Sequence, residues 1–290
     1  MGRQAAPAAA RAEGVPARAG QNRQGYREFH GFKRTVFGRG IPSKYLLNYA
    51  QAQELASEFS TLIEDGGIGL LIGEVGIGKT TALRSFLDNL EERACKVCYQ
   101  GASKHPMAIL SDMVHQMGYQ PAHLRATCLR QFAGAVSRLW TEQRKKTLLV
   151  LDDAQTVEES LLEDLRLSTN FEFDSSEPLA ILLIGHPSLQ SRLRKPIHLA
   201  LWDRLRMTYK LEGLSLEETH EYIDRHLEAA GGRGDLFTAE AKTTVFEHAQ
   251  GIPRRINRLA LEAVKMSARN QVRAIDERLV AAAAKVFDGV

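Results

Sequence analysis

The chain has 290 residues, of which 44% are hydrophobic and 25% are charged, a composition typical of soluble globular proteins and not of membrane proteins. Its length allows one large domain or two modest ones. No apolar run approaches the roughly 20 residues that a membrane helix needs, and the N-terminus lacks the apolar core of a signal peptide. We therefore expect a cytoplasmic protein with no membrane partner.

The charge of the chain is concentrated near its N-terminus. Residues 1–40 hold eight basic and two acidic residues, a net +6, so the remainder carries −3 of the total of +3. Residues 1–24 are rich in Ala, Arg, Gly, Gln and Pro and contain no large apolar residue beyond Met1 and Val15. We therefore predict a disordered basic tail over 1–24. Such a tail is either inert or an arm that contacts nucleic acid or a partner protein.

In chain order, the predicted elements first alternate between strands and helices and then become helical only. After a helix at 51–64, apolar runs predict strands at 68–72, 96–100, 147–151, 179–184 and 207–211. This alternation predicts an α/β fold, with a parallel sheet flanked by helices. Later helices are predicted at 216–230, 238–248, 253–269 and 275–286. We therefore divide the chain into the tail, an α/β nucleotide-binding domain at 25–213 and a small all-helical lid domain at 214–290.

A phosphate-binding loop follows the first predicted strand. Residues 73–80 match the pattern G-x-x-x-x-G-K-[ST], between an apolar strand and an amphipathic helix. In this setting backbone N–H groups and the helix N-terminus hold phosphates, while Lys79 reaches the terminal phosphates and Thr80 ligates Mg²⁺. The predicted nucleoside triphosphate site comprises Gly73, Glu74, Val75, Gly76, Ile77, Gly78, Lys79, Thr80 and Thr81.

The cysteines of the second strand are predicted to be structural. Cys95 and Cys98 form a C-x-x-C pair, but a spacing of three in a strand puts the two thiols on opposite faces. No second Cys or His pair stands at zinc spacing. We expect these thiols to be reduced and to take no part in a metal site.

Two carboxylates end the third predicted strand. The apolar run 147–151 leads directly into Asp152 and Asp153. In a parallel sheet the strand C-termini line the ligand crevice. We therefore predict that Asp152 holds Mg²⁺ and that Asp153 orients or activates the attacking water.

With these residues the chain resembles the AAA+ ATPases, and within them an ExeA-like group, over roughly residues 26–286. Three further segments carry the resemblance. Residues 179–189 look like the fourth strand with a polar sensor at its tip, 201–206 look like the segment of an arginine finger, and 251–257 look like the second-sensor motif that opens a lid helix. The resemblance implies ATP and Mg²⁺ as cofactors and hydrolysis of ATP to ADP and phosphate.

The same resemblance suggests roles for three more side chains. His186 is the sensor candidate, although an ordinary turn histidine is an equally good interpretation. Arg204 is assigned as a finger that acts in trans on a neighbouring subunit, with Arg206 as the runner-up, and Arg254 reaches the nucleotide in cis. Where the family usually has Glu, this chain has Asp153, which is one methylene shorter. We therefore expect slow hydrolysis that assembly stimulates.

Two branches of the ExeA-like group fit this domain pattern. Members of the type II secretion branch usually continue into a membrane segment and a cell-wall-binding domain, neither of which this sequence shows. The other branch resembles transposition ATPases of the MuB, TnsC and TniB type, which assemble as rings or filaments on DNA and recruit a transposase. The basic tail favours this second branch. A nucleotide switch in signalling or defence is a third hypothesis.

The transposition hypothesis implies double-stranded DNA, a transposase and a target-selection protein as partners, and a homo-oligomer as the active form. DNA contacts should be mostly to phosphate and therefore weakly sequence-specific. Basic residues between the second and third strands include Lys104, Arg125 and Arg130. Lys104 and Arg125 are the best DNA-binding candidates, against the alternative that they are ordinary surface charges.

Overall fold

The protein is built around one parallel sheet. A computed structural model describes residues 25–38, 50–91, 95–101, 105–167 and 177–288. Five strands lie in the order β2-β3-β4-β1-β5, and every neighbouring pair is parallel. The strands are β1 Gly67–Ile72, β2 Cys95–Gln100, β3 Lys146–Leu151, β4 Leu179–Gly185 and β5 Leu205–Lys210. The predicted α/β class is confirmed.

The helices surround this sheet and then continue without strands. Their bounds are α1 Tyr26–His30, α2 Ala50–Asp65, α3 Lys79–Asn89, α4 Pro106–Gln116, α5 Arg125–Gln143, α6 Glu159–Leu167, α7 Pro187–Leu193, α8 Leu199–Trp202, α9 Leu216–Ala229, α10 Ala239–Ala249, α11 Pro253–Arg269 and α12 Glu277–Asp288. The helical region predicted after the sheet is therefore present. No helix among the described residues is both long enough and apolar enough to cross a bilayer.

The central strands are continuous apolar runs because helices cover both faces of the sheet. All seven residues of β4 are buried, as are the last five of β1 and of β3. Cys98 belongs to the core on one face and Cys95 to the core on the other, which confirms their opposite orientation. Burial raises the pKa of each thiol to about 11, so both stay protonated and inert at neutral pH.

A third hydrophobic core holds the helical region together, and the first described segment belongs to it. Phe32, Val36 and Phe37 are buried among side chains of α9 to α12. His30 bonds Ser267 of α11 at 2.8 Å, and the N–H of Lys33 donates to the carbonyl of Ala230. Residues that precede the sheet in sequence therefore pack with helices that follow it.

Candidate nucleotide site

The phosphate loop joins β1 to α3 at the carboxyl edge of the sheet. Gly78 is the N-cap of α3, so the first N–H groups of the helix face the loop. The Nζ atom of Lys79 donates to the carbonyls of Gly73 at 2.7 Å and Glu74 at 3.1 Å. Burial lowers the pKa of Lys79, although nearby carboxylates oppose the shift. The predicted loop residues are thus folded as an anion cradle with an ammonium group held across it.

Arg254 lies directly on this loop. Its backbone N–H donates to the carbonyl of Gly76 at 3.2 Å, and a Cβ built on Gly76 would lie 2.5 Å from the Cβ of Arg254. Gly76 has a φ of +85°, a conformation that glycine adopts without strain. The glycine therefore permits both the turn and the close approach of α11. The predicted lid arginine and the predicted loop are adjacent, as the proposed role of Arg254 requires.

A pair of oxygen atoms fits the predicted magnesium site. The hydroxyl of Thr80 donates to Oδ2 of Asp152 at 2.8 Å, which joins the start of α3 to the end of β3. Mg²⁺ prefers oxygen ligands and usually keeps several waters beside one or two protein groups and substrate phosphates. Thr80 and Asp152 would hold the ion, and when bound it would neutralise charge on the phosphates.

Tyr99 is a third member of this cluster and was not anticipated from the sequence. Its hydroxyl also donates to Oδ2 of Asp152 at 2.8 Å. Burial and the bond to Asp152 both raise the pKa of Tyr99, so the phenol stays protonated as a donor. The side chain of Gln116 bonds the backbone N–H and carbonyl of Tyr99 at 2.9 and 3.0 Å on the open edge of β2. The sequence signal that could have identified Tyr99 is its hydroxyl group next to the carboxyl end of β2.

Asp153 and His186 are connected through Gln155, a second residue that sequence reasoning missed. The amide nitrogen of Gln155 donates to Asp153 at 3.3 Å, and its oxygen accepts from the backbone N–H of His186 at 3.1 Å. Asp153 has a φ of +54°, a left-handed conformation that aspartate tolerates better than most residues. Gln155 therefore bridges the segments that follow β3 and β4, two strands that are already paired along their length.

The ring of His186 faces the phosphate loop. Its Nδ1 accepts from the backbone N–H of Ser188 at 3.2 Å and caps α7. A neutral ring with Nδ1 as acceptor carries its proton on Nε2, which lies 3.5 Å from the carboxylate of Glu74. Both members of the pair are solvent-accessible. The predicted sensor thus lies beside the loop and makes a local capping bond as well.

Arg204 lies at the amino ends of the strands, whereas the phosphate loop lies at their carboxyl ends. β5 begins at Leu205, which pairs with Ile68 near the start of β1. The length of a six-residue strand, about 20 Å, separates this end of the sheet from the loop. Arg204 donates to the carbonyl of Arg166 at 2.8 Å.

The runner-up Arg206 donates to the carbonyl of Asp65 at 2.8 Å and is paired with Glu177. Neither arginine reaches the phosphate loop of its own subunit.

Of the two predicted DNA-binding residues, the structure describes only Arg125. Lys104 and the tail at 1–24 lie outside the described residues. Arg125 opens α5 and forms an ion pair with Asp164, in which Nε and Nη2 lie 2.7 and 2.5 Å from the same oxygen. A phosphate would have to compete with this carboxylate for Arg125. No cluster of three or more metal-ligating Cys, His, Asp or Glu side chains occurs in the described part of the chain.

The sequence of the chain is similar to that of known proteins. Residues 63–193 match a family model described as an AAA domain. General secretion pathway protein A of Aeromonas hydrophila is 30% identical over 243 residues, which is 80% of this chain and 43% of that protein. The chain thus spans less than half the length of this relative.

Solved structures show the same fold. The ORC2 protein of Aeropyrum pernix superposes with a TM-score of 0.66 at 21% identity, covering 88% of this chain and 72% of that one. The ORC1 protein of Aeropyrum pernix, solved in complex with DNA, gives 0.63 at 18% identity, with 85% and 67% covered. Residues 63–193 therefore match the AAA domain model, the chain is similar to general secretion pathway protein A over 80% of its length, and its fold is that of the solved ORC proteins.

Proposed function

We propose that this protein is an ATPase that binds ATP with Mg²⁺ and hydrolyses it slowly, and whose nucleotide state controls its self-assembly. The observation that carries the proposal is the meeting of three elements at the loop: Lys79 spans it, Thr80 bonds Asp152, and Arg254 packs on Gly76. These groups supply cation, metal ligands and a lid contact around one anion cradle. An arrangement with all three suits a triphosphate better than a single phosphate.

Each side chain has a proposed task in hydrolysis. Lys79 and the loop N–H groups hold the phosphates, and Arg254 contacts them from α11. Asp153 orients a water for attack on the terminal phosphate. His186, linked to Asp153 through Gln155, reports the state of that phosphate to α7. The short reach of Asp153 supports slow turnover.

The site is proposed to be completed by a second copy of the chain. Charge that gathers on the transferred phosphoryl group is stabilised by a guanidinium from outside the loop. Arg204 is held at the far edge of the sheet, so it could serve only a neighbour's site. This arrangement supports assembly-stimulated hydrolysis in a ring or filament.

We propose double-stranded DNA as the partner of the ATP-bound assembly. The likeness in fold to a protein solved with DNA supports this, as does the basic character of residues 1–40. Recruitment of a transposase and a target-selection protein is the finer form of this proposal, and it rests on resemblance in domain organisation.

A second candidate function is supported by general secretion pathway protein A. In this alternative the same nucleotide switch acts in type II secretion and has a protein partner. The two candidates share the ATP site and differ in whether DNA is bound.

DNA binding by the purified chain separates the two candidates. A fluorescent duplex would be titrated with ADP, with ATP or with a slowly hydrolysed ATP analogue, and the complexes would be imaged by negative-stain electron microscopy. We expect ordered assemblies on DNA only with ATP or the analogue, and none with Lys79→Ala. Nucleotide binding without DNA binding would reject the DNA proposal and favour the secretion candidate.

A further inference from the structure

A basic surface depression lies away from the nucleotide site, between α5 and the turn that follows α4. It has a volume of about 220 Å³ and no carboxylate in its lining, which consists of Tyr119, Arg130, Gln131, Gly134, Ala135 and Arg138. The amide of Gln131 is already bonded to the backbone of Ala122 and Gln120. The chemistry available to a ligand is therefore that of two guanidinium groups and one phenol ring.

The two arginines are placed to act together. Arg130 and Arg138 are eight residues apart on α5, with Gly134 midway, so they share one face about 12 Å apart along the helix axis. Arg130 bonds the hydroxyl of Thr127 at 3.3 Å, and Arg138 bonds the hydroxyl of Tyr119 at 3.2 Å. Neither pairs with a carboxylate among the described residues, in contrast to Arg125 at the start of the same helix.

Gly134 and Tyr119 shape the space between the arginines. A Cβ built on Gly134 would meet nothing within 4 Å, so the glycine leaves the middle of the helix face open. The guanidinium carbon of Arg138 lies 5.8 Å from the centroid of the Tyr119 ring, which keeps the ring at the rim. Tyr119 as a residue is 38% exposed, so its ring can pack against a flat apolar group.

We propose that this depression binds the sugar–phosphate backbone of DNA. Arg130 and Arg138 contact phosphate oxygens, and Tyr119 packs against a deoxyribose. The cations are exposed and spread along the helix, so they suit a polymer with repeated charges and not one enclosed anion. The inference rests on the proposed function, because it identifies where the DNA partner of the ATP-bound assembly is held.

The test compares salt dependence of DNA binding between full-length variants. Arg130→Gln/Arg138→Gln removes both charges, and Gly134→Leu fills the depression without altering charge. Arg278→Gln removes an exposed arginine of α12 as the matched control. Binding of a fluorescent duplex with the ATP analogue is measured from 50 to 200 mM KCl, while thermal melting and ATP binding check that each variant is folded.

We expect the double variant to lose about tenfold or more in affinity. The plot of log K against log salt should become shallower, with the magnitude of its negative slope smaller by about 2, since roughly 0.9 counterions are released per phosphate contact. Gly134→Leu should weaken binding with the slope reduced in the same direction. Arg278→Gln should match the wild type, and ATP binding should be unchanged in all of them.

Three outcomes would overturn the inference. If the wild type binds DNA and the variants bind equally well, the depression is not the DNA site, while the proposed function stands. If the wild type binds no DNA, the DNA proposal and this inference both fail. If polyglutamate or free nucleotide competes as well as duplex at equal charge concentration, the depression recognises an acidic protein segment or a small anion instead.

Discussion

Arg254 occupies the space that a side chain at position 76 would need, and its own backbone bonds the carbonyl of Gly76 at 3.2 Å. The first turn of α11 therefore packs against the phosphate loop itself. A phosphate held by the loop would lie next to a helix of the third core. A change in the loop upon nucleotide binding can thus reach the helical region through a single contact.

Replacing Gly76 with alanine tests this contact. The new Cβ would lie 2.5 Å from Arg254 at a φ of +85°, so either the loop or α11 must move. We expect ATP affinity to fall by about fivefold or more, since such a replacement costs over about 1 kcal/mol and about 1.4 kcal/mol is tenfold in affinity. Titration with a fluorescent ATP analogue measures it. Gly134→Ala, which meets no neighbour, is the control, and equal affinities in both variants would contradict the assignment.

Asp153→Asn separates binding from hydrolysis. The amide keeps the size of the side chain but cannot accept a proton or carry charge opposite the attacking water. We expect ATP binding within about twofold of the wild type, hydrolysis reduced by about 10² or more, and longer residence on DNA. Phosphate release and DNA dissociation rates measure the two effects. Loss of ATP binding would show instead that Asp153 holds the nucleotide or the metal.

Gln155 is predicted to act as a positioning residue. Its amide bonds Asp153 and the backbone of His186, so Gln155→Ala releases both. We expect kcat to fall by about ten- to a hundredfold with KM for ATP nearly unchanged, because the groups remain but lose their alignment. Gln155→Glu should be at least as impaired, since it places a second negative charge beside Asp153. A rise in KM alone would indicate a role in binding.

Mixing two inactive variants tests whether Arg204 acts in trans. Arg204→Ala should lower the assembly-stimulated rate by about 10³, and Asp153→Asn should bind ATP and assemble while hydrolysing little of it. In a mixed assembly, Arg204 from the Asp153→Asn chain can serve the intact site of the Arg204→Ala chain. We expect ATPase activity to return on mixing. No recovery would reject the trans role, and repeating the experiment with Arg206→Ala examines the runner-up.

Acid should destabilise the helical region through His226. Burial lowers the pKa of His226 from 6.5 to about 3, and its ring stacks on Phe37. Below pH 6.5 His226 binds a proton in the unfolded chain but stays neutral in the folded chain. The free energy of unfolding therefore falls by up to about 1.4 kcal/mol for each pH unit of acidification. The free energy of unfolding, measured with urea from pH 7.5 to 5, should depend less steeply on pH in His226→Gln than in the wild type. Equal slopes would mean that His226 protonates in the folded state.

Much of the fold could be predicted because its signals are local. Buried parallel strands read as apolar runs, and the phosphate loop has a fixed spacing between a strand and a helix. The proximity of Thr80 to Asp152 followed from the rule that strand C-termini share one edge. Those inferences needed no knowledge of distant packing.

Other features depend on contacts that no spacing encodes. Gln155 and Tyr99 act through bonds to residues that follow other strands, and a position near a strand end does not identify those partners. The ion pair of Arg125 with Asp164 joins residues 39 apart, so its charge appeared available from the sequence. The aromatic residues near Tyr26 could be recognised as apolar, but their partners lie in the last third of the chain.

That last arrangement bears on how the protein is made. His30 bonds Ser267 across 237 residues of sequence, and Phe32 and Phe37 need helices that are translated after the whole sheet. Domains generally fold as they emerge, N-terminal parts first. Here these aromatic residues stay exposed until the helices within residues 216–288 have been translated. During that interval they are the segment of the newborn chain that a chaperone would be expected to cover.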